Sequence, residues 1–118
     1  MSHKRLSSMA ARRQAHARVF AALSDETRLA LVAKLCGRKP YSIAQLTQGS
    51  RLTRQAITKH LRVLENAGIA HSVRTGRESR FEFDPRPIEG IKEYLDFVSE
   101  QWDRALSRLC LLYTSRCV

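Results

Sequence analysis

No stretch of this chain approaches the roughly 18 consecutive apolar residues that a membrane span needs. The amino-terminal MSHKRLSSMAARR also lacks the apolar core of a secretory signal. A spanning or exported protein is therefore not expected, and the cytoplasm is the expected location. Cysteine is scarce: Cys36, Cys110 and Cys117 form no C-x-x-C and no even-numbered set, so neither a structural zinc site nor a disulfide scaffold is indicated. Acid is short of base, with 11 Asp plus Glu against 21 Lys plus Arg and a formal charge of +10. An excess of that size points to a polyanionic partner, nucleic acid or an anionic membrane surface, and charge alone does not choose between them. Also missing are the constellations of an enzyme: there is no nucleophile with its base, no pair of carboxylates placed in a cleft and no phosphate-cradling glycine loop. Internal repeats and low-complexity segments are absent too.

What is present fits one domain. A length of 118 residues allows a single modest core and leaves little room for a second. The first nine residues read as a flexible basic arm, followed by a helix from about Ala10 to Leu23. Ser24 or Asp25 supplies an N-cap for DETRLALVAKLCG, in which Leu29, Leu31, Val32 and Leu35 make an apolar face that includes Cys36, and Gly37 stops the helix. Ser42 caps a shorter helix, SIAQLTQGS, with Ile43, Ala44 and Leu46 turned inward. After Gly68 the period changes. Two runs of strand character, Ile69 to Arg74 and Ser79 to Asp84, flank Thr75, Gly76, Arg77 and Glu78 and predict a β-hairpin, with Phe81 and Phe83 sharing one face. Pro85 and Pro87 close it, and a final helix runs from about Ile88 to Leu109. The last nine residues, CLLYTSRCV, back-translate into what looks like the end of a transposon-based sequencing adapter meeting its own reverse complement. Residues 110–118 are therefore expected to be a sequencing scar, and the functional domain to span residues 10–109.

The stretch LTRQAITKHLRVLENAG, Leu52 to Gly68, is the most informative part of the chain. On a 3.6-residue period Ala56, Ile57, Leu61, Leu64 and Ala67 share a buried stripe, while Thr53, Arg54, Gln55, Thr58, Lys59 and Arg62 fall largely on the other side. That second face carries cations and hydrogen-bonding groups and no carboxylate before Glu65. A short helix, a glycine turn, a second amphipathic helix and then a basic hairpin is the order of a winged helix-turn-helix. In such a fold the second helix enters the major groove, where Arg, Gln and Thr reach base edges. Arg74, Arg77 and Arg80 of the hairpin can meanwhile reach phosphates or a neighbouring minor groove. The expected class is mainly α with a small β-hairpin, about five helices plus a two-stranded wing.

The segment from Phe20 to Phe83 resembles the ArsR family of bacterial winged-helix repressors, and covers more than half the chain. VFAALSDETRLALVAKL is similar to the family's "ALSDPTRLRIL" segment. LTRQAITKHLRVLENAGIAHSVRTGRESRF is similar to its "S-x-H-L-x-x-L-x-x-AGLV-x-x-x-R-x-G-R" signature. The resemblance implies a homodimeric DNA-binding regulator, usually a repressor, acting on double-stranded DNA at an operator with two-fold symmetry. Carried over by position, Thr53, Arg54, Gln55, Thr58 and Lys59 stand where the family reads DNA, with Thr58 in place of the usual serine. His60 matches the family histidine, as a packing residue or a phosphate contact, and Arg62 is placed for backbone phosphate.

The family's metal sensors use a Cys-x-Cys at the start of the third helix, where this chain has Ser42, Ile43 and Ala44; others use His and carboxylate pairs on the last helix, where no histidine occurs. No metal and no cofactor is expected, because transition metals need thiolate or imidazole to hold them. The last helix carries a different signal. Ile88, Leu95, Trp102 and Leu109 recur every seven residues, as do Ile91, Val98 and Ala105, a two-position apolar seam that wants a partner. The expected partner is a second copy, paired through first and last helices, with Tyr94 and Phe97 adding aromatic area and room for an unknown small-molecule effector. The competing reading is a module that coats nucleic acid without choosing sequence, or binds another protein.

Overall fold

The structure is a computed structural model that describes the backbone of residues 2–37 and 39–116, and side chains over 9–37 and 39–111. Helix α1 (Ser2–Ala22) is followed by α2 (Glu26–Leu35), the short strand β1 (Tyr41–Ser42), α3 (Ile43–Thr47), α4 (Arg54–Asn66), the hairpin strands β2 (Ala70–Thr75) and β3 (Glu78–Phe83), and the long α5 (Arg86–Arg116). The winged helix-turn-helix architecture is the expected one. Four boundaries differ from expectation. The basic segment before Ala10 is drawn into α1 from Ser2 onward, and α5 runs past Leu109 to Arg116. The wing gains a third strand, because Tyr41 pairs with Phe81 and Ser42 with Arg80 to give the order β1-β3-β2. The ladder of the hairpin runs to Thr75 opposite Glu78, which leaves Gly76 and Arg77 as a two-residue loop.

Local chemistry explains these limits. Asp25, the N-cap of α2, accepts the backbone N–H of Arg28 at 3.1 Å, chiefly through which its carboxyl is held below the usual range. Ser42 and Gln45 form a reciprocal capping box on α3, with Ser42 Oγ accepting from the Gln45 amide at 3.2 Å and Gln45 Oε1 accepting from the Ser42 amide at 2.9 Å. Thr53 caps α4 by accepting from the Ala56 amide at 3.2 Å. At the other end Gly68 takes φ +78°, and the amides of Gly68 and Ile69 return to the carbonyls of Glu65 and Leu64, each at 2.9 Å. A side chain at that φ would be strained, so the turn that aims the wing relative to α4 belongs to glycine.

The core is built where α2, α3, α4 and the sheet converge: Leu35, Leu46, Ile57, Leu61, Leu64 and Ile69 are fully buried. Val19 and Ala22 enter from α1, Phe81 from β3 and Ile91 from α5. Three inward assignments fail. Leu29 is 51% exposed, and Ala44 is exposed, because helices as short as α2 and α3 bury only the narrow strip that meets α4 and the sheet. Cys36 is exposed rather than core: it is the C-cap of α2, one residue past Leu35, the last buried residue of the helix. The seam on α5 also divides. Ile91 is 6% exposed and belongs to the domain's own core, with Ile88 half-buried against it, whereas Leu95, Trp102 and Leu109 are exposed and Val98 is half-buried. Ile91 is thus spent on its own domain, while Ile88 packs on that core and keeps part of its surface exposed. Helix α1 lies against the same part of α5: His16 stacks on Tyr94 at 5.4 Å between ring centroids, and Phe20 meets Tyr94 edge-on at 6.3 Å.

Candidate nucleic-acid interface

Helix α4 sorts its side chains as its period predicts. Ile57, Leu61 and Leu64 are buried, and Arg54, Gln55, Lys59 and Arg62 are exposed on the opposite face. Among the described residues none of Arg54, Lys59, Arg62, Arg74 and Arg77 makes an ion pair, so their charge is directed outward and unneutralised. Thr53 and Thr58 are partly committed. The first spends its hydroxyl on the α4 cap, and the second donates its hydroxyl proton to the Arg54 carbonyl at 2.7 Å. Thr58 keeps lone pairs that can still accept.

His60 does not share the outer face. Its Nδ1 lies 3.1 Å from Nη1 of Arg28 and 3.8 Å from Oδ2 of Asp25, which places one edge of the ring against the start of α2. The two contacts make opposite demands, since the ion pair needs a protonated ring and the arginine needs an acceptor. The shorter contact decides, and Nδ1 accepts from Arg28. In the wing, Arg74 and Arg77 are exposed, Arg77 in the turn itself, whereas Arg80 is half-buried on the central strand and paired with Glu78 at 3.2 Å. That pair places a carboxylate beside Arg80 that Arg74 and Arg77 do not have, and so leaves it less charge to offer a phosphate.

Two roles were not legible in the sequence. Arg28 hydrogen-bonds to the end of α1 and to His60 on α4. Asp84, at the end of β3, is a buried hub: it accepts from His71 Nε2 at 2.8 Å, from the backbone N–H of Arg86 at 3.0 Å and from the Arg86 guanidinium at 2.7 Å. The Arg86 side chain and its amide, with His71, hold the Asp84 carboxyl far below the usual range, and Asp84 in turn raises the Arg86 guanidinium. The hub fastens both wing strands to the first turn of α5. An acid between a hairpin and a helix is the only mark it leaves in the sequence.

Ser42, Ile43 and Ala44 at the start of α3 offer no thiolate, and among the described residues no group of three or more His, Cys, Asp or Glu is assembled. No described helix is long and apolar enough to cross a membrane.

The arrangement matches known proteins. Residues 25–72 fit the model for bacterial regulatory proteins of the arsR family. An ArsR-like transcriptional regulator from Rhodococcus sp. RHA1 superposes with a TM-score of 0.73 at 37% identity, over 82% of this chain and 91% of that one. The chain belongs to the ArsR family. Two further relatives agree with that assignment. The HTH-type transcriptional regulator Rv2034 of Mycobacterium tuberculosis is 30% identical over 98 residues, covering 83% of this chain and 88% of the relative. The uncharacterised HTH-type regulator YuzN of Bacillus subtilis is 35% identical over 79 residues, covering 62% of this chain and 86% of the relative. This ArsR-family chain is a DNA-binding winged helix-turn-helix transcription regulator, and α4 holds the second-helix position of its motif.

Proposed function

We propose that two copies of this regulator pair through α1 and α5 and act as a repressor at an inverted-repeat operator. The carrying observation is one chain with two unsatisfied surfaces of opposite kind, the cationic outer face of α4 and the uncovered apolar stripe of α5, where Trp102 is 65% exposed. Pairing across the stripe removes apolar area from water and presents two α4 helices to successive major grooves, with half-sites roughly one helical turn apart. In that complex Arg54 and Gln55 read base edges, Thr53 offers its hydroxyl proton and Thr58 an acceptor oxygen, and Lys59 and Arg62 anchor on phosphate. Arg74 and Arg77 extend the footprint from the wing, with Arg80 a weaker contributor.

Selection of bound fragments from random DNA tests the reading. An enriched inverted repeat supports it. No enriched motif supports instead a module that coats nucleic acid without choosing sequence. A small-molecule effector is favoured by one further observation, an open groove of about 780 Å³ between α1 and α5 whose lining includes Met9, Arg12, Arg13, Glu93, Tyr94 and Phe97. Its size and aromatic wall suit an apolar ligand. A fluorescent apolar sulfonate should bind the Phe97→Asp variant more weakly than the parent; equal binding removes this part of the proposal.

A further inference from the structure

Arg28 sits in the first turn of α2 and reaches out of it on both sides. Its Nε donates to the carbonyl of Ala22 at 2.7 Å and one Nη to the carbonyl of Ala21 at 3.4 Å, the last carbonyls of α1. Such carbonyls have no partner within their helix and carry the negative end of its dipole, so a guanidinium there is well placed. That of Ala21 also accepts from the Ser24 amide at 3.2 Å and its hydroxyl at 2.6 Å, so the bond to Ala22 is the stronger anchor. The other Nη faces Nδ1 of His60 on α4 at 3.1 Å. One side chain therefore joins the end of α1 to α4.

Arginine has five donors and no acceptor, so the imidazole nitrogen that faces it must offer a lone pair. The single ring proton of His60 is then on Nε2. The two ring nitrogens point in nearly opposite directions, so Nε2–H is turned away from α2. Among the described residues it has no hydrogen-bond partner, and the side chain keeps 22% of its exposure. A donor left over on a helix whose exposed residues include Arg54, Lys59 and Arg62 fits an anionic oxygen outside the domain.

We propose that Arg28 is a positioning residue that fixes His60 in its Nε2–H tautomer, and that this N–H takes a DNA backbone phosphate when α4 docks. The proposal rests on α4 being the helix that meets DNA. It also makes Arg28 the physical link by which the end of α1 sets the seating of α4. A phosphate contact is independent of sequence, so a mixed-sequence duplex is a sufficient probe.

Nitrogen-15 spectra of the histidine rings in the full chain, free and at neutral pH, should show His60 with Nε2 protonated and Nδ1 bare. A ring protonated on Nδ1, or on both nitrogens, would overturn the proposal without need of any variant. Arg28→Lys should weaken duplex binding by about tenfold, the order of one hydrogen bond to a charged acceptor. The slope of affinity against salt should stay unchanged, because a neutral N–H displaces no counterion. His60→Gln retains a donor near the Nε2 position with no tautomer to fix, so in that background Arg28→Lys should change affinity by less than about twofold. Equal losses in both backgrounds would reduce Arg28 to general support of the fold and sink the relay. Lys59→Ala and Arg62→Ala separate the two levels. If they too leave affinity and salt slope untouched, the reading of α4 itself fails; if they weaken both while Arg28→Lys acts equally in the two backgrounds, only the relay fails.

Discussion

Helices α4 and α5 are both amphipathic, yet only one has its apolar face covered by the chain that carries it. In α4 the stripe of Ile57, Leu61 and Leu64 is sealed against α2, α3 and the sheet, and the opposite face holds cations and amides that water or a polyanion can satisfy. In α5 the first turns behave in the same way, with Ile91 in the core and Ile88 packed on it. Beyond Tyr94 the stripe continues in sequence while the domain beneath it ends, and Leu95, Trp102, Leu106 and Leu109 face outward. A contiguous exposed stripe of that kind is unusual on a lone domain and marks an association surface. On the function proposed above, the polar face of α4 is left to DNA and the apolar face of α5 to another copy.

Substitutions can break that contrast at several strengths. The largest effect is expected in the shared core: Leu61→Ala and Ile91→Ala should each cost about 2–5 kcal/mol of folding free energy, measured by urea denaturation. Ile91→Ala should do so without changing how the copies associate. Trp102→Asp should behave in the reverse manner, separating the copies in sedimentation while leaving the secondary structure intact. It should also abolish the dependence of melting temperature on protein concentration. A Trp102→Asp protein that still sediments as the parent does would place the pairing surface elsewhere. Next in size, Arg54→Ala should remove about 1–3 kcal/mol of discrimination between a selected operator and random DNA, read from competition binding. Smallest is Asp84→Asn at the wing base, about 1–2 kcal/mol at neutral pH from the lost charged hydrogen bonds. Because the folded carboxyl ionises at lower pH than the unfolded one, its stabilisation is fully present above the usual carboxylate range and is lost as pH falls. Parent and variant stabilities should therefore converge in acid. A gap that stays constant down to about pH 2 would contradict the hub.

Periodicity made α4 legible to within two residues at its start and one at its end, since thirteen positions are enough for a 3.6-residue pattern to repeat and Gly68 marks the stop. The cap at Thr53 was not legible, because the period places that residue on the DNA face. The hairpin was legible through Gly76 and the change of period. β1 was not, because two residues cannot display alternation and Tyr41 and Ser42 become a strand only by meeting Phe81 and Arg80. The N-terminal part of α1 is helical without an apolar stripe, so no pattern announced it. On α5 the seven-residue spacing was real, but spacing reports only that a face is apolar. Whether Ile91 or Leu95 finds its cover within the chain depends on where the domain stops, which is tertiary information. Arg28 and His60 were each visible as members of the family blocks. Their meeting was not, because the two stand 32 positions apart and are brought together only by the packing of α2 on α4.

The central claim is that α4 and the wing, and not the apolar side of α5, meet DNA. The most direct test is a nitrogen-15 amide spectrum of the full chain recorded as a selected duplex is added. The account predicts that the largest shifts fall on residues 53–62 and 74–77, with residues 95–109 nearly unmoved. Shifts concentrated on residues 95–109, or spread evenly over the basic surface with α4 unaffected, would contradict it.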